Sequence, residues 1–133
     1  MSAVLDACAL IAYLNGEEGA DKVEALFISG RQVQMSCVNL LEVSYDAIKA
    51  SRNTDAAEEL VKEVSQLPIS VKWDVSMEVF LEASRLKASY RISLADAIAA
   101  AFSRVLKCQL ATSDHHEFDH LASINEVDVL WIR

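Results

Sequence analysis

Glycine is scarce in this chain: Gly16, Gly19 and Gly30 are the only three. None follows a strand pattern in a GxGxxG or Walker spacing, so a glycine-rich phosphate loop is excluded. No Gly-x-Ser-x-Gly elbow occurs either, and no cysteine has an obvious histidine partner. Proline occurs once, at Pro68. The three cysteines, Cys8, Cys37 and Cys108, are odd in number, far apart and set among apolar residues. They read as small hydrophobic residues, not as a disulfide framework or a zinc site. No apolar run approaches the ~18 residues of a membrane helix. The first residues, Met1-Ser2-Ala3-Val4-Leu5-Asp6, lack the basic segment of a signal peptide and meet an acid early, so a cytoplasmic protein is expected. Bases are also few. Twelve Lys and Arg stand against twenty Asp and Glu, a net charge of −8 that disfavours phosphate contacts unless bound cations reverse the local field.

What is abundant is apolar sequence, 53% of the chain, enough at 133 residues for one domain with a full core. No repeats, linkers or low-complexity segments divide it, so a single domain over 1–133 is expected. Strand and helix patterns alternate throughout. Strands are expected at 3–5, 33–36, 69–73, 109–112 and 127–132. Helices are expected at 9–14, 19–28, from a cap at Asn39 onward with Leu41, Tyr45 and Ile48 on one face, at 55–67, at 76–90 with Val79, Phe80, Ala83 and Leu86 inward, at 94–106 behind a Ser93 cap, and at 115–121. Strands separated by helices imply an α/β fold, a parallel sheet of four to five strands covered on both faces.

Four carboxylates interrupt apolar stretches: Asp6 after Ala3-Val4-Leu5, Glu42 in Leu40-Leu41-Glu42-Val43, Asp96 in Leu94-Ala95-Asp96-Ala97-Ile98, and Asp114 after Leu110-Ala111-Thr112-Ser113. An ionised carboxylate taken out of water without a partner costs several kcal/mol, so such groups are paired, protonated or bound to metal. No Lys or Arg lies within four residues of Asp6 or Asp96. In open α/β sheets ligands bind beyond the carboxyl ends of the strands, and the helices that follow begin at that same rim. Asp6 and Asp114 fall at strand ends, Asp96 and Glu42 near helix starts, so all four can meet there. Each also has a local role open to it. Asp6 and Asp114 can cap the helices that follow them, Asp96 stands at a capping-box distance from Ser93, and Glu42 can be a surface residue. One shared divalent cation accounts for all four at once. Glu117 and Asp119 lie near enough to add charge, Asp119 being the favoured peripheral member. His115, His116 and His120 lack a common zinc spacing and read as surface residues.

The blocks Val4-Leu5-Asp6-Ala7-Cys8-Ala9-Leu10-Ile11-Ala12-Tyr13-Leu14, Asn39-Leu40-Leu41-Glu42-Val43, Tyr90-Arg91-Ile92-Ser93-Leu94-Ala95-Asp96-Ala97-Ile98-Ala99-Ala100-Ala101 and Leu110-Ala111-Thr112-Ser113-Asp114-His115-His116-Glu117-Phe118 together resemble the PIN-domain ribonucleases, specifically the small VapC-type toxins of prokaryotic toxin–antitoxin pairs. The resemblance spans the chain in order. It implies a three-layer α/β/α fold and an acidic centre of Asp6, Glu42, Asp96 and Asp114 that binds Mg²⁺ or Mn²⁺. It implies endoribonuclease activity leaving a 5′-phosphate and a 3′-hydroxyl, an antitoxin partner and a homodimer. Thr112 and Ser93 match positions whose hydroxyls support those acids. Two departures stand out: Ala7 replaces the hydroxyl residue that often follows the first aspartate, and His116 stands where some relatives carry a further acid. Two other functions fit less well. A receiver-type signalling domain needs adjacent acids after its first strand and a lysine near the last, and neither is present. A PIN-like binding module with little catalysis keeps the acids and is separated only by activity. Lys49, Arg52, Arg85, Lys87 and Arg91 are the bases available to an RNA backbone.

Overall fold

The segment Ser2–Leu5 is apolar on both sides, a pattern suited to a strand covered above and below. In the computed structural model, which describes every residue from Met1 to Arg133, it is β1, the middle strand of a five-stranded sheet. The others are β2 (Gln32–Ser36), β3 (Ile69–Lys72), β4 (Gln109–Thr112) and β5 (Val129–Trp131). Their order is β3-β2-β1-β4-β5, with every neighbouring pair parallel. Helices α1 (Ala7–Asn15) and α2 (Ala20–Ile28) connect β1 to β2, and α3 (Cys37–Ser51) and α4 (Ala56–Ser65) connect β2 to β3. Then α5 (Met77–Ser89) and α6 (Leu94–Leu106) lead to β4, and α7 (His115–Ser123) leads to β5. The three-layer α/β/α architecture holds, with five strands.

Alternation along β1 and β4 divides the core. Val4 and Leu110 point toward α5 and α6, while Ala3, Leu5 and Ala111 point toward α1 and α2, all without solvent exposure. Met35 of β2 packs with Leu10, Leu40, Val43, Leu60 and Val64 beneath α3 and α4. Burying each large aliphatic side chain contributes about 1.5–3 kcal/mol. The all-round apolar character of α6 is explained by its place, with Ala97, Ala99, Ala100 and Ala101 fully enclosed. Gly19 starts α2 at φ +99, and a Cβ there would lie 2.8 Å from the Ile132 carbonyl oxygen, so only glycine lets the end of the chain pass this close. No helix is long and apolar enough to cross a membrane.

The chain builds outward from β1 to β3 and then returns to lay β4 on the other side of β1. The strand order therefore reverses between β1 and β4, the switch point at which open α/β sheets leave a crevice.

Several local expectations need correction. Asn39 does not cap α3. The cap is Ser36, whose Oγ accepts from the Val38 amide at 3.2 Å, and the helix starts at Cys37. Two apolar stripes overlap on α3, and packing selects the one holding Leu40 and Val43, leaving Leu41 and Tyr45 exposed. Phe80 of α5 likewise faces outward at 58% exposure, because Val79, Ala83 and Leu86 already fill the side facing α6. Strand β3 stops at Lys72, and Trp73 is exposed. The cysteines are unpaired but only half-buried.

Candidate active site

Each of the four acids is delivered by a different piece of the fold. Asp6 follows β1 and caps α1, its Oδ1 accepting from the Ala9 amide at 2.9 Å. Asp114 follows β4 and caps α7, its Oδ1 accepting from the Glu117 amide at 3.1 Å. These two flank the switch point. Asp96 sits in the first turn of α6, where the Ser93 Oγ accepts from its amide at 3.1 Å and donates to its Oδ2 at 2.7 Å. Glu42 comes from α3, which packs against both α1 and α6. Local capping and a shared site thus coexist, because each capping carboxylate spends only Oδ1 on its helix and keeps Oδ2 for another partner.

All four line one cavity of about 220 Å³, together with Ala7, Cys8, Ile11, Tyr45 and Asp46. No base lines it. Asp6 is only 2% exposed, and its second oxygen accepts from the Thr112 hydroxyl, which itself accepts from the Asp114 amide at 3.0 Å. None of the four acids forms an ion pair. Burial drives the Asp6 carboxyl up to about 7, against the pull of Thr112 and the Ala9 amide, and the charges of Asp96 and Asp114 push it the same way. Asp96 rises to about 6, again chiefly through burial, with Ser93 opposing and Glu117, Asp114 and Glu42 adding repulsion. Glu42 is raised by burial, lowered by Asn39 and raised again by Asp114. The Cys8 thiol, buried beside these acids, is pushed up to about 12 and stays protonated.

The donor set fits a hard divalent cation: carboxylate oxygens that raise one another's pKa values, with no competing ammonium or guanidinium. No three His, Cys, Asp or Glu side chains converge tightly enough to form a finished cage.

The periphery differs from expectation. Asp119 turns away to bond His115, whose Nδ1 lies 2.7 Å from its Oδ1 while Nε2 lies 2.8 Å from the Arg133 carbonyl. Acceptors at both nitrogens raise His115 above its ordinary value, the Arg133 carbonyl first and then Asp119, and Trp131 stacks on the ring at 3.9 Å. The nearer acid is Glu117, half-buried and felt by Asp96. His116 and His120 are exposed. Sequence reasoning missed Asp46, which lies one turn beyond Glu42 on α3, a helical i, i+4 spacing that would have found it. Of the bases, Arg85 is bound to Glu82 and Glu126 and Lys87 to the Ile92 carbonyl. Lys49, Arg52 and Arg91 are exposed.

A small parallel α/β protein with a base-free carboxylate pocket at its switch point defines a narrow class. The sequence matches the PIN domain family over residues 3–124, and the chain belongs to that family. No curated protein matches it. Among solved structures it is similar to a toxin–antitoxin complex from Klebsiella pneumoniae, with 20% identity, 99% of this chain and 98% of that one covered, and a TM-score of 0.75. It is also similar to VapBC-1 from nontypeable Haemophilus influenzae, at 17% identity, 99% and 98% coverage and a TM-score of 0.75. A third is Mycobacterium tuberculosis VapC20, a sarcin–ricin loop cleaving toxin, at 18% identity, 95% and 96% coverage and a TM-score of 0.64. At these identities the likeness is one of fold.

Proposed function

We propose that the chain is a Mg²⁺- or Mn²⁺-dependent endoribonuclease, the toxin of a toxin–antitoxin pair. The observation that carries this reading is the single base-free cavity lined by Asp6, Glu42, Asp96 and Asp114, with Asp6 almost fully buried and no cationic partner. When bound, the cation lowers the pKa of a coordinated water and offsets charge on the attacked phosphate. The chain's own part is to hold oxygens in place. Thr112 and the Ala9 amide fix Asp6, Ser93 fixes Asp96, and the Glu117 amide fixes Asp114. Glu42 is held only by the Asn39 side chain, which leaves its carboxylate the freest of the four to orient a water. Of the five bases the sequence offered, Lys49, Arg52 and Arg91 are left to follow an RNA backbone, and in a chain of net charge −8 a bound cation would add to the attraction for phosphate.

Solved toxin–antitoxin complexes with this fold support a protein partner, and the surface has room for one. Trp73, Met77, Phe80 and Leu81 are each more than half exposed along the entry to α5, an apolar face suited to an antitoxin or a second copy. The test is cleavage of total cellular RNA by the antitoxin-free chain in Mg²⁺ or Mn²⁺, against EDTA and Asp96→Asn. Discrete products that need both metal and Asp96 are expected. Uncut RNA with metal-loaded wild-type chain would replace the nuclease with a PIN-like binding module.

A further inference from the structure

Asn39 is the most deeply buried amide in the chain, with no solvent exposure. Its Nδ2 donates to the Ala95 carbonyl at 3.1 Å, while its Oδ1 is buried with no hydrogen-bond partner. The orientation is fixed, because a flipped amide would set two carbonyl oxygens against each other. An orphaned buried acceptor costs about 1–3 kcal/mol, whereas a leucine of similar volume would cost nothing in that respect. The Ala95 carbonyl gains little from the contact, since it lies within α6 and has its own helical partner four residues on. Asn39 is therefore a poor choice for core stability, although Leu40 and Val43 beside it are ordinary core residues.

Its neighbours explain it better. Glu42 lies three residues along the same helix face and feels the Asn39 side chain directly. Ala95 immediately precedes Asp96. One amide thus joins the segment carrying Glu42 to the turn carrying Asp96, two acids that approach the cavity from different helices. Its second polar atom stays without a donor in the core, so what the residue contributes is the tie between the two helices.

We propose that Asn39 is a positioning residue for the cation, tying α3 to α6 through Nδ2 so that Glu42 and Asp96 face one cavity. The inference rests on the cation reading above. The test is calorimetric titration of the full chain with Mn²⁺, comparing wild type, Asn39→Leu and Asn39→Ser, with melting temperatures taken in chelator. Asn39→Leu should melt at or above wild type without metal, since it removes the orphaned acceptor. It should bind Mn²⁺ about 10–100-fold more weakly, the loss usual when a group orienting a metal ligand is removed. Asn39→Ser, too short to reach Ala95, should show the same weakening and serves if the leucine variant does not fold. A folded variant that binds Mn²⁺ as wild type does would overturn the proposal, as would a lowered melting temperature with unchanged affinity, which marks a merely structural amide. Wild-type chain that binds no Mn²⁺ would overturn the cation reading itself, so the two failures are distinct.

Discussion

The Thr112 hydroxyl donates to the Asp6 carboxylate, joining the end of β4 to the end of β1 across the point where the strand order reverses. The same oxygen accepts from the Asp114 amide at 3.0 Å, so one side chain sets the positions of two of the four acids.

Thr112→Val keeps the shape and removes the hydroxyl. It leaves the Asp114 amide unpaired and strips Asp6 of its main stabilising partner. The folded chain should lose about 1–3 kcal/mol, the usual cost of an orphaned buried donor, read from urea unfolding. The pH midpoint for RNA cleavage should move to higher values, because Thr112 holds the Asp6 carboxyl down. An unmoved midpoint would show that Asp6 does not govern the profile.

Asp6 and Asp96 give the metal-free protein a definite dependence on pH. Both titrate near 3.8 in an unfolded chain, against about 7 and about 6 when folded. The folded state therefore holds protons that the unfolded state has released, and its stability falls as pH rises from about 4 through 7. Cation binding should reverse this by taking the place of the protons. Added Mn²⁺ is expected to raise the melting temperature most on the alkaline side of Asp6. Calorimetry in buffers of different ionisation enthalpy should record proton release on binding between the two values. Equal stabilisation by Mn²⁺ at all pH would count against carboxylate ligation.

Glu126 is the opposite electrostatic case. Hydrogen bonds from Arg85 at 2.8 and 3.1 Å and from the Tyr90 hydroxyl at 2.7 Å, with Arg104 beside it, pull its carboxyl down to about 2. This cluster ties α5 and α6 to the turn before β5. Glu126→Gln should destabilise the chain by about 1–2 kcal/mol at neutral pH, less than a fully buried pair because water screens the half-exposed Arg85. The stabilisation is present above 4.5 and is lost as pH falls toward 2, so wild type and variant should converge in acid. A gap that persists in acid urea melts would mean that packing, not charge, is responsible.

Much of this was legible in the sequence because the informative signals are local. Short apolar runs between helical periods gave all five strands in place, and a carboxylate among aliphatic residues is conspicuous without a structure. What escaped depends on which partners an element meets. On α3 both the Leu41–Tyr45–Ile48 stripe and the Leu40–Val43 stripe satisfy helical spacing, and only packing on Leu10 and Leu60 selects the second. Asn39 read as a cap because asparagine favours caps; its true contact is with Ala95, 56 residues away. Asp119 and Glu117 were a matter of helix rotation. Once Asp114 caps α7, Glu117 is turned toward Asp96 and Asp119 toward His115.

The acids of the pocket arrive from opposite ends of the chain, Asp6 just after the first strand and Asp114 beyond the fourth. The crevice lacks a wall until β4 inserts beside β1 and brings Thr112 and Asp114 to Asp6. The pocket is thus completed only by a late segment of the chain, once β4 has docked beside β1.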